Sequence, residues 1–571
     1  MEPHFVTVAG AGLAIMIAAA VFARRTGVAA PLLLVTLGIL ASLVPGAPTI
    51  EVDPELILAG VLPPLLYSSA VELPVIDLRR NFGLIAWLSV AMVIISALVI
   101  GVAVHWVFPD IPLGLAIALG AVVSPTDAVA ATAVGRRLGL PPRLMTVLEG
   151  ESLLNDASAL VLLRTAVAGL AAAGSFSLGR TVLEFAWAVV GAVVVGALIG
   201  WITALLRRQL DDPVLNTTIS FAIPFLAYFP AEEVNASGVL AVVVAGLATG
   251  SLGARWFSPR DRETQATTWT TVNFVLESAL FLAMGYQLTE VVDAANAESD
   301  WGTIARVVGL VLALLVGLRF LGLAWPALSE RFGRGGRGEH VRARLDRFEE
   351  HLENLEPTGK REENRVSWAR HRLARGRADL DFEDREPITA RGYFVVAWAG
   401  MRGAVTVAAA QTIPAGTPHR STVVLIAFLV ALVTLVFFGL TLPLVIARMN
   451  LRAQSKQEQR NAVLALTRQV GEAAIESVGP VEEQTVDGEP LDDAVLTAIR
   501  DGFLPRMLGV AREQNRPRRH DLEKLMIVQR RYLEAMRSAL WVERSIGAYS
   551  SGTYRHVEAT LDALDQRLDS K

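Results

Sequence analysis

The chain has 571 residues, 53% of them hydrophobic and 19% charged, with a net charge of −4, against roughly 45–50% apolar and about 25% charged residues in an ordinary soluble domain. With a mean hydropathy of +0.44, these values exclude a soluble globular protein, and the near-neutral balance offers no basic footprint for nucleic acid. Zero cysteines exclude a disulfide framework, a thiolate zinc site, an iron–sulfur cluster and a cysteine nucleophile.

Apolar runs of about 17–25 residues read as membrane-spanning helices. Thirteen occur in chain order, over residues 5–23, 28–45, 54–72, 83–107, 112–135, 144–170, 181–206, 214–230, 235–253, 268–289, 302–326, 391–414 and 421–447. The first lacks a basic flank and is followed by many more, so it is expected to be a span and not a cleaved signal. The run holding Pro224 and Pro230 is the weakest, and its loss would invert everything downstream.

The connecting loops test that count. Taken alternately, one set carries Arg24 and Arg25, Arg79 and Arg80, Arg136, Arg137 and Arg143, Arg207 and Arg208, then Arg255, Arg260 and Arg262. The other carries almost only Arg180 and Arg420 among acids such as Glu51, Asp53, Glu290, Asp293 and Asp300. Positive charge stays cytoplasmic, which predicts an N-terminus outside, a C-terminus inside and an odd number of spans in a cytoplasmic membrane. Of 52 Lys and Arg, 15 lie in residues 331–391 and 18 in residues 450–571. The expected organisation is therefore spans 1–11 over residues 1–330, a charged cytoplasmic helical insertion over 331–390, spans 12–13 over 391–449, and a cytoplasmic helical domain over 450–571 with breaks at Gly479-Pro480 and Pro517.

Spans 1–6 and 8–13 enter the membrane from opposite sides, the order of an inverted repeat, and such repeats build transporters around broken helices near the midplane. The predicted fold is an all-α polytopic membrane protein. Span 5 is interrupted at Ser124-Pro125-Thr126 and its counterpart, span 12, at Gly400-Met401-Arg402-Gly403.

Ionisable residues at bilayer depth are expensive and mark function by default. At about 1.5 Å per helical residue, Asp127 lies roughly 13 Å from Arg136 and Asp156 roughly 20 Å from Arg143, so both carboxylates fall near mid-membrane. Pro125 frees backbone carbonyls, and non-helical backbone is tolerated there only inside protein or beside a cavity. Oxygens of Thr126, Asp127, Ser152 and Asp156 are thus expected to converge on one monovalent cation, with Asn155 reaching the broken segment. Glu151, Arg319 and Arg402 lie roughly 12, 18 and 16 Å from the inner surface. A Glu151 pair with either arginine is expected to hold span 6 against the second repeat. Glu277 is also mid-span, and its role is open.

Ser124-Pro125-Thr126-Asp127 followed by Gly150-Glu151-Ser152-Leu153-Leu154-Asn155-Asp156 resembles the ion-site signature of the sodium/proton exchanger family, in its bacterial NhaP-like branch. Leu62-Pro63-Pro64-Leu65-Leu66, Ser237-Gly238-Val239-Leu240-Ala241, Leu276-Glu277-Ser278-Ala279-Leu280-Phe281 and Gly400-Met401-Arg402-Gly403 are similar to family segments too, and together they run from about residue 30 to 445. The resemblance implies crossed, broken helices 5 and 12, a core moving against a dimerisation domain, and a homodimer. It implies that Asp156 alternately binds cation and proton beside Thr126, Asp127 and Ser152, that Asn155 steadies the crossover, and that Glu151 pairs with a core arginine.

The expected function is electroneutral one-for-one exchange of a monovalent cation, sodium first and potassium as the alternative, for a proton, serving pH and sodium homeostasis. Neither an enzyme nor a cofactor is expected. The neutral Asn155 carries the electroneutrality, since family members with paired aspartates there are the electrogenic ones. An intramembrane aspartyl protease would carry a Gly-x-Gly-Asp element, which neither Asp127 nor Asp156 sits in. A channel would not need a titratable group at the helix break.

Overall fold

The computed structural model describes residues 3–26, 28–44, 53–171, 178–296, 298–355, 359–451, 456–486, 488–503 and 521–569. Glu51 and Pro517, used above as a loop acid and a helix break, lie outside them. In chain order the helices are α1 (Pro3–Thr26), α2 (Ala30–Ser42), α3 (Leu62–Glu72), α4 (Val75–Arg80), α5 (Phe82–Ala86), α6 (Met92–Val107), α7 (Leu113–Val123), α8 (Ala128–Leu138), α9 (Pro142–Ala171), α10 (Leu178–Arg207), α11 (Pro213–Glu233) and α12 (Gly238–Trp256). There follow α13 (Pro259–Tyr286), α14 (Leu288–Asn296), α15 (Trp301–Glu353), α16 (Lys360–Arg385), α17 (Ala390–Trp398), α18 (Ala404–Gln411), α19 (Arg420–Met449), α20 (Lys456–Val478), α21 (Asp493–Thr497), α22 (Asp521–Ile546) and α23 (Ser551–Asp569). The chain divides into two compact units, Met1–Ser329 with Ile388–Leu451, and Glu330–Pro387 with Arg452–Lys571.

The first unit holds a helix, or a broken pair, over each apolar run of the sequence. Seven helical stretches among the described residues are long and apolar enough to cross a membrane. The weak run proves to be one helix, α11, with Pro224 and Pro230 inside it. Pro63 and Pro64 carry no N–H, so the regular ladder entering α3 is lost and Leu56–Val61 forms a wider π turn instead. The helix over span 10 begins earlier than the apolar run, at Pro259, because Ser258 and Asp261 form a reciprocal capping box.

Without a hydrophobic force between helices in lipid, close packing relies on small residues. Gly38 and Gly285 bring α2 and α13 together so tightly that a Cβ at Gly38 would overlap the Leu282 carbonyl and one at Gly285 the Val35 carbonyl. Large apolar side chains point outward elsewhere, including Trp106, Leu183 and Leu444 at 83%, 71% and 70% exposure. Such patches are untenable in water and ordinary against lipid. Among the buried polar residues, Arg207 is wholly enclosed. It donates to Asn216 Oδ1 at 2.6 Å and to Gln265, and lies 4.2 Å over the Phe257 ring, tying α10 to α11 and α13.

At one end of this unit α14 packs on α19, and Glu298 accepts from the Thr422 N–H at 3.0 Å and the Thr422 hydroxyl at 3.1 Å, capping α19. Burial opposes ionisation of Glu298, but donors from Thr422 and Ser421 outweigh it and hold the carboxyl below its ordinary value. A depressed carboxyl stabilises above its unfolded pKa, about 4.3, and that contribution is lost as pH falls through the lower folded value. Glu298→Gln is therefore expected to cost about 0.5 kcal/mol at pH 7, the low end for a cap at an exposed site. In melting curves of the purified protein the difference should shrink at about pH 3, and an equal loss at both pH values would count against the assignment.

The second unit joins what the sequence presents as two separate pieces, the charged insertion and the C-terminal domain. The end of α15 and α16 are tied by Arg377, which reaches Asp346 at 2.8 Å and also Glu349. α16 docks on α22 through Arg375 Nε to the Ser545 carbonyl, 3.0 Å, and His371 Nε2 to Ser545 Oγ, 3.2 Å. The core of α20, α22 and α23 buries Leu466, Val470, Val528, Met536 and Leu561, with the Tyr532 hydroxyl satisfied by the Gly479 carbonyl at 2.7 Å. Two-residue strands β1 (Thr485–Val486) and β2 (Glu489–Pro490) pair antiparallel.

Candidate ion-exchange site

α7 stops at Val123 because Pro125 offers no N–H and clashes with the preceding turn. The chain is extended at Asp127 and re-enters helix at Ala128. α17 stops at Trp398, and helix resumes at Ala404 after Gly403, whose backbone is extended. The two breaks touch, with Asp127 N–H donating to the Met401 carbonyl at 2.7 Å. Four helix ends therefore meet inside the first unit, two C-termini and two N-termini, each leaving unpaired backbone groups and about half an elementary charge.

Two side chains balance those ends. Asp127 Oδ1 accepts from the Val129 N–H at 2.8 Å and caps α8. Its other oxygen lies against Gly403, the residue capping α18, where any Cβ would overlap it. One carboxylate thus serves two positive helix ends. Arg402 is the complement, donating through Nε to the carbonyl of Val123, the last residue of α7, at 2.9 Å and through Nη1 to the Gly400 carbonyl just beyond α17. Asp127 and Arg402 thus set a negative and a positive side chain against the helix ends of opposite sign.

α9 supplies the second layer. Glu151 pairs with Arg319, Nη1 to Oε1 at 2.5 Å and Nη2 to Oε2 at 3.1 Å, with side-chain exposures of 2% and 11%. Arg319 also donates to the Val396 and Ala397 carbonyls at 3.0 and 3.2 Å. The partner left open between two arginines is Arg319. The Thr126 hydroxyl donates to Glu151 Oε1 at 3.0 Å and accepts from Asn155 Nδ2 at 3.0 Å, so Asn155 does reach the broken segment. Asn155 Oδ1 is buried without a partner among the described residues.

Asp156 is buried and lines a cavity of about 10 Å³ together with Pro125 and Thr406, a volume on the order of one water. No hydrogen bond reaches its carboxylate among the described residues. Asp127 lies within its electrostatic reach, and Ser152 is half-buried one turn earlier on α9. The structure thus brings all eight predicted residues to one crossing, but with different occupations. The Asp156 carboxylate has no hydrogen-bond partner among the described residues, whereas the Thr126 hydroxyl and the Asp127 and Glu151 carboxylates are engaged by protein. Glu277 lies within electrostatic reach of both Asp127 and Glu72. Thr406 carries no sequence signal beyond its type, and only the packing brings it beside Asp156.

A buried carboxylate beside two interrupted helices is costly to leave bare, since low dielectric penalises an uncompensated charge. The family description "Sodium/hydrogen exchanger, transmembrane" matches residues 12–448. The chain belongs to the sodium/hydrogen exchanger family. The exchanger is 28% identical to the uncharacterised Na+/H+ exchanger YjcE of Escherichia coli over 94% of each chain. It is 32% identical to a sodium, potassium, lithium and rubidium/H+ antiporter of Bacillus subtilis over 52% of this chain and 45% of that one. Its fold matches the sodium proton antiporter MjNhaP1 of Methanocaldococcus jannaschii at pH 8, with a TM-score of 0.55 and 17% identity over 79% of this chain and 99% of that one. The family is one of transporters and not of catalysts.

Proposed function

We propose that the exchanger moves one sodium ion against one proton across the cytoplasmic membrane by alternating access, in the service of pH and sodium homeostasis. The observation that carries this reading is the Asp156 carboxylate, buried and unengaged beside the crossing of α7–α8 and α17–α18. Either a cation or a proton neutralises it. With neither bound, moving the core would drag a naked carboxylate through low dielectric at several kcal/mol. Empty transit is suppressed, so each cation moved one way obliges a proton to move the other. Ser152 lies beside Asp156 as an oxygen ligand, Thr126 contributes through its backbone, and Asp127 adds negative potential while it caps the half-helices.

The architecture that goes with this mechanism is thirteen spans in an inverted repeat, N-terminus outside and C-terminus cytoplasmic, assembled as a homodimer. The poorly buried α10, with 33% of its most apolar window inside the protein, supports a surface given to lipid or to a second copy. Sodium is preferred to potassium because it is the cation that the family description and the named relatives share.

Electroneutrality rests on Asn155, a neutral amide bonded to Thr126, which leaves Asp156 as the one carboxylate facing the cavity. Proteoliposomes carrying the purified exchanger should take up sodium against a proton gradient at a rate unchanged by an imposed potential of about 100 mV, worth about 2.3 kcal/mol per net charge moved. A rate that tracks the potential would overturn one-for-one exchange. Titration with sodium, lithium and potassium at several pH values tests the choice of cation.

A further inference from the structure

The cavity beside Asp156 is otherwise apolar, with Val122, Leu160, Leu163 and Val405 among its walls. Among the described residues that line it, two carry side-chain oxygen, Asp156 from α9 and Thr406 from α18. Thr406 is 4% exposed, and its hydroxyl makes no hydrogen bond among the described residues. The Thr217 hydroxyl in α11 is likewise buried without a partner among the described residues, but several threonines of this unit satisfy theirs within the helix. Thr203, Thr249, Thr434 and Thr441 each bond back to the carbonyl four residues earlier, at 2.7, 2.6, 2.8 and 2.6 Å, the ordinary way to satisfy a hydroxyl in an apolar helix. Four residues before Thr406 is Arg402, which lies in the break and not in the helix. The interruption of span 12 therefore removes the acceptor four residues back, and Thr406 stands in the cavity wall beside Asp156 with its hydroxyl unpartnered among the described residues.

We infer that Thr406 is a cation ligand opposite Asp156 and sets the affinity and selectivity of the outer half of the transport route. This rests on the proposed exchange and topology, in which α7, α18 and the later part of α9 lie on the outer side of the crossing. A space on the order of one water admits a monovalent cation only after most of its hydration is lost. The lost water oxygens must be replaced, and a hard cation takes carboxylate, hydroxyl or carbonyl oxygen. The Thr126 hydroxyl is not free for this, being held between Glu151 and Asn155. The hydroxyl of Thr406 is uncommitted, and it brings the second repeat into contact with the ion.

The test uses full-length exchanger in proteoliposomes, with sodium, lithium and potassium titrated against proton flux. Thr406→Val keeps the branched shape and removes the oxygen; Thr406→Ser keeps the oxygen. Thr406→Val is expected to raise the apparent KM for sodium about tenfold, equivalent to about 1.4 kcal/mol, with maximal rate changed less than about twofold and the ratio of sodium to potassium affinity altered. Thr406→Ser is expected to restore the wild-type KM. An unchanged KM in Thr406→Val overturns the inference, and so does a fall in maximal rate alone, which a packing role would give. If Thr406→Val does not fold, Thr406→Ala, which removes the oxygen without adding bulk, decides: a raised KM for sodium that Thr406→Ser does not show supports the ligand role, and a wild-type KM overturns it. Wild-type protein without cation-dependent proton flux would overturn the exchange reading itself, whereas active wild type with an indifferent Thr406 overturns this inference alone.

Discussion

Asp156→Asn is expected to reduce sodium-induced dissipation of a proton gradient in everted vesicles to background. The substitution is nearly isosteric, so the cavity keeps its shape and the crossing of α7–α8 with α17–α18 keeps its contacts, none of which involves the Asp156 side chain. What is lost is titration. An amide binds no exchangeable proton and balances no cation, so both halves of the cycle fail together, and the permanently neutral core can move empty. Asp156→Glu keeps the charge but advances it by one methylene into a cavity of about 10 Å³, and is expected to retain exchange with altered cation affinity. Substantial exchange by Asp156→Asn would remove Asp156 from the centre of the mechanism.

Arg319→Met is expected to destabilise the exchanger by on the order of 3–5 kcal/mol, the cost of leaving a buried carboxylate unpaired. Glu151 is 2% exposed in its side chain and has no water to fall back on. Adding Glu151→Gln to Arg319→Met is expected to recover most of the loss, because neutral partners need no counter-charge. Thermal unfolding in detergent reads both outcomes, and an Arg319→Met variant as stable as wild type would refute the pair. The consequence for transport is geometric, since Arg319 also holds the Val396 and Ala397 carbonyls at the end of α17 and Glu151 holds Thr126 in the other break. Loss of the pair loosens both sides of the crossing at once.

Much of this was legible in the residues. The alternation of arginine between loops predicts sidedness, because the cost of moving charge across lipid is paid in order along the chain. Pro125 and the glycines flanking Arg402 announce two breaks, because each acts on backbone geometry locally. Asp156 and Asp127 stand out because bilayer depth is a matter of counting residues.

Assignment of partners was not legible. Arg319 and Arg402 have similar depths and the same chemistry, and only packing decides that Arg319 faces Glu151 while Arg402 faces the carbonyls of Val123 and Gly400. Likewise Thr126 reads as a ligand by type, yet its hydroxyl is engaged between Glu151 and Asn155, and Thr406, which spacing does not mark, lines the cavity beside Asp156. The charged segments 331–390 and 450–571 read as separate because some sixty residues of membrane sequence part them, but α16 and α22 meet through Arg375 and Ser545. The sequence by itself determined that this is a membrane protein with two interrupted helices and buried carboxylates, since hydropathy, helix breakage and depth are properties of consecutive residues. Only the tertiary structure decided which of those charges neutralise one another and which stands alone, because a side chain's electrostatic state depends on neighbours distant in the chain.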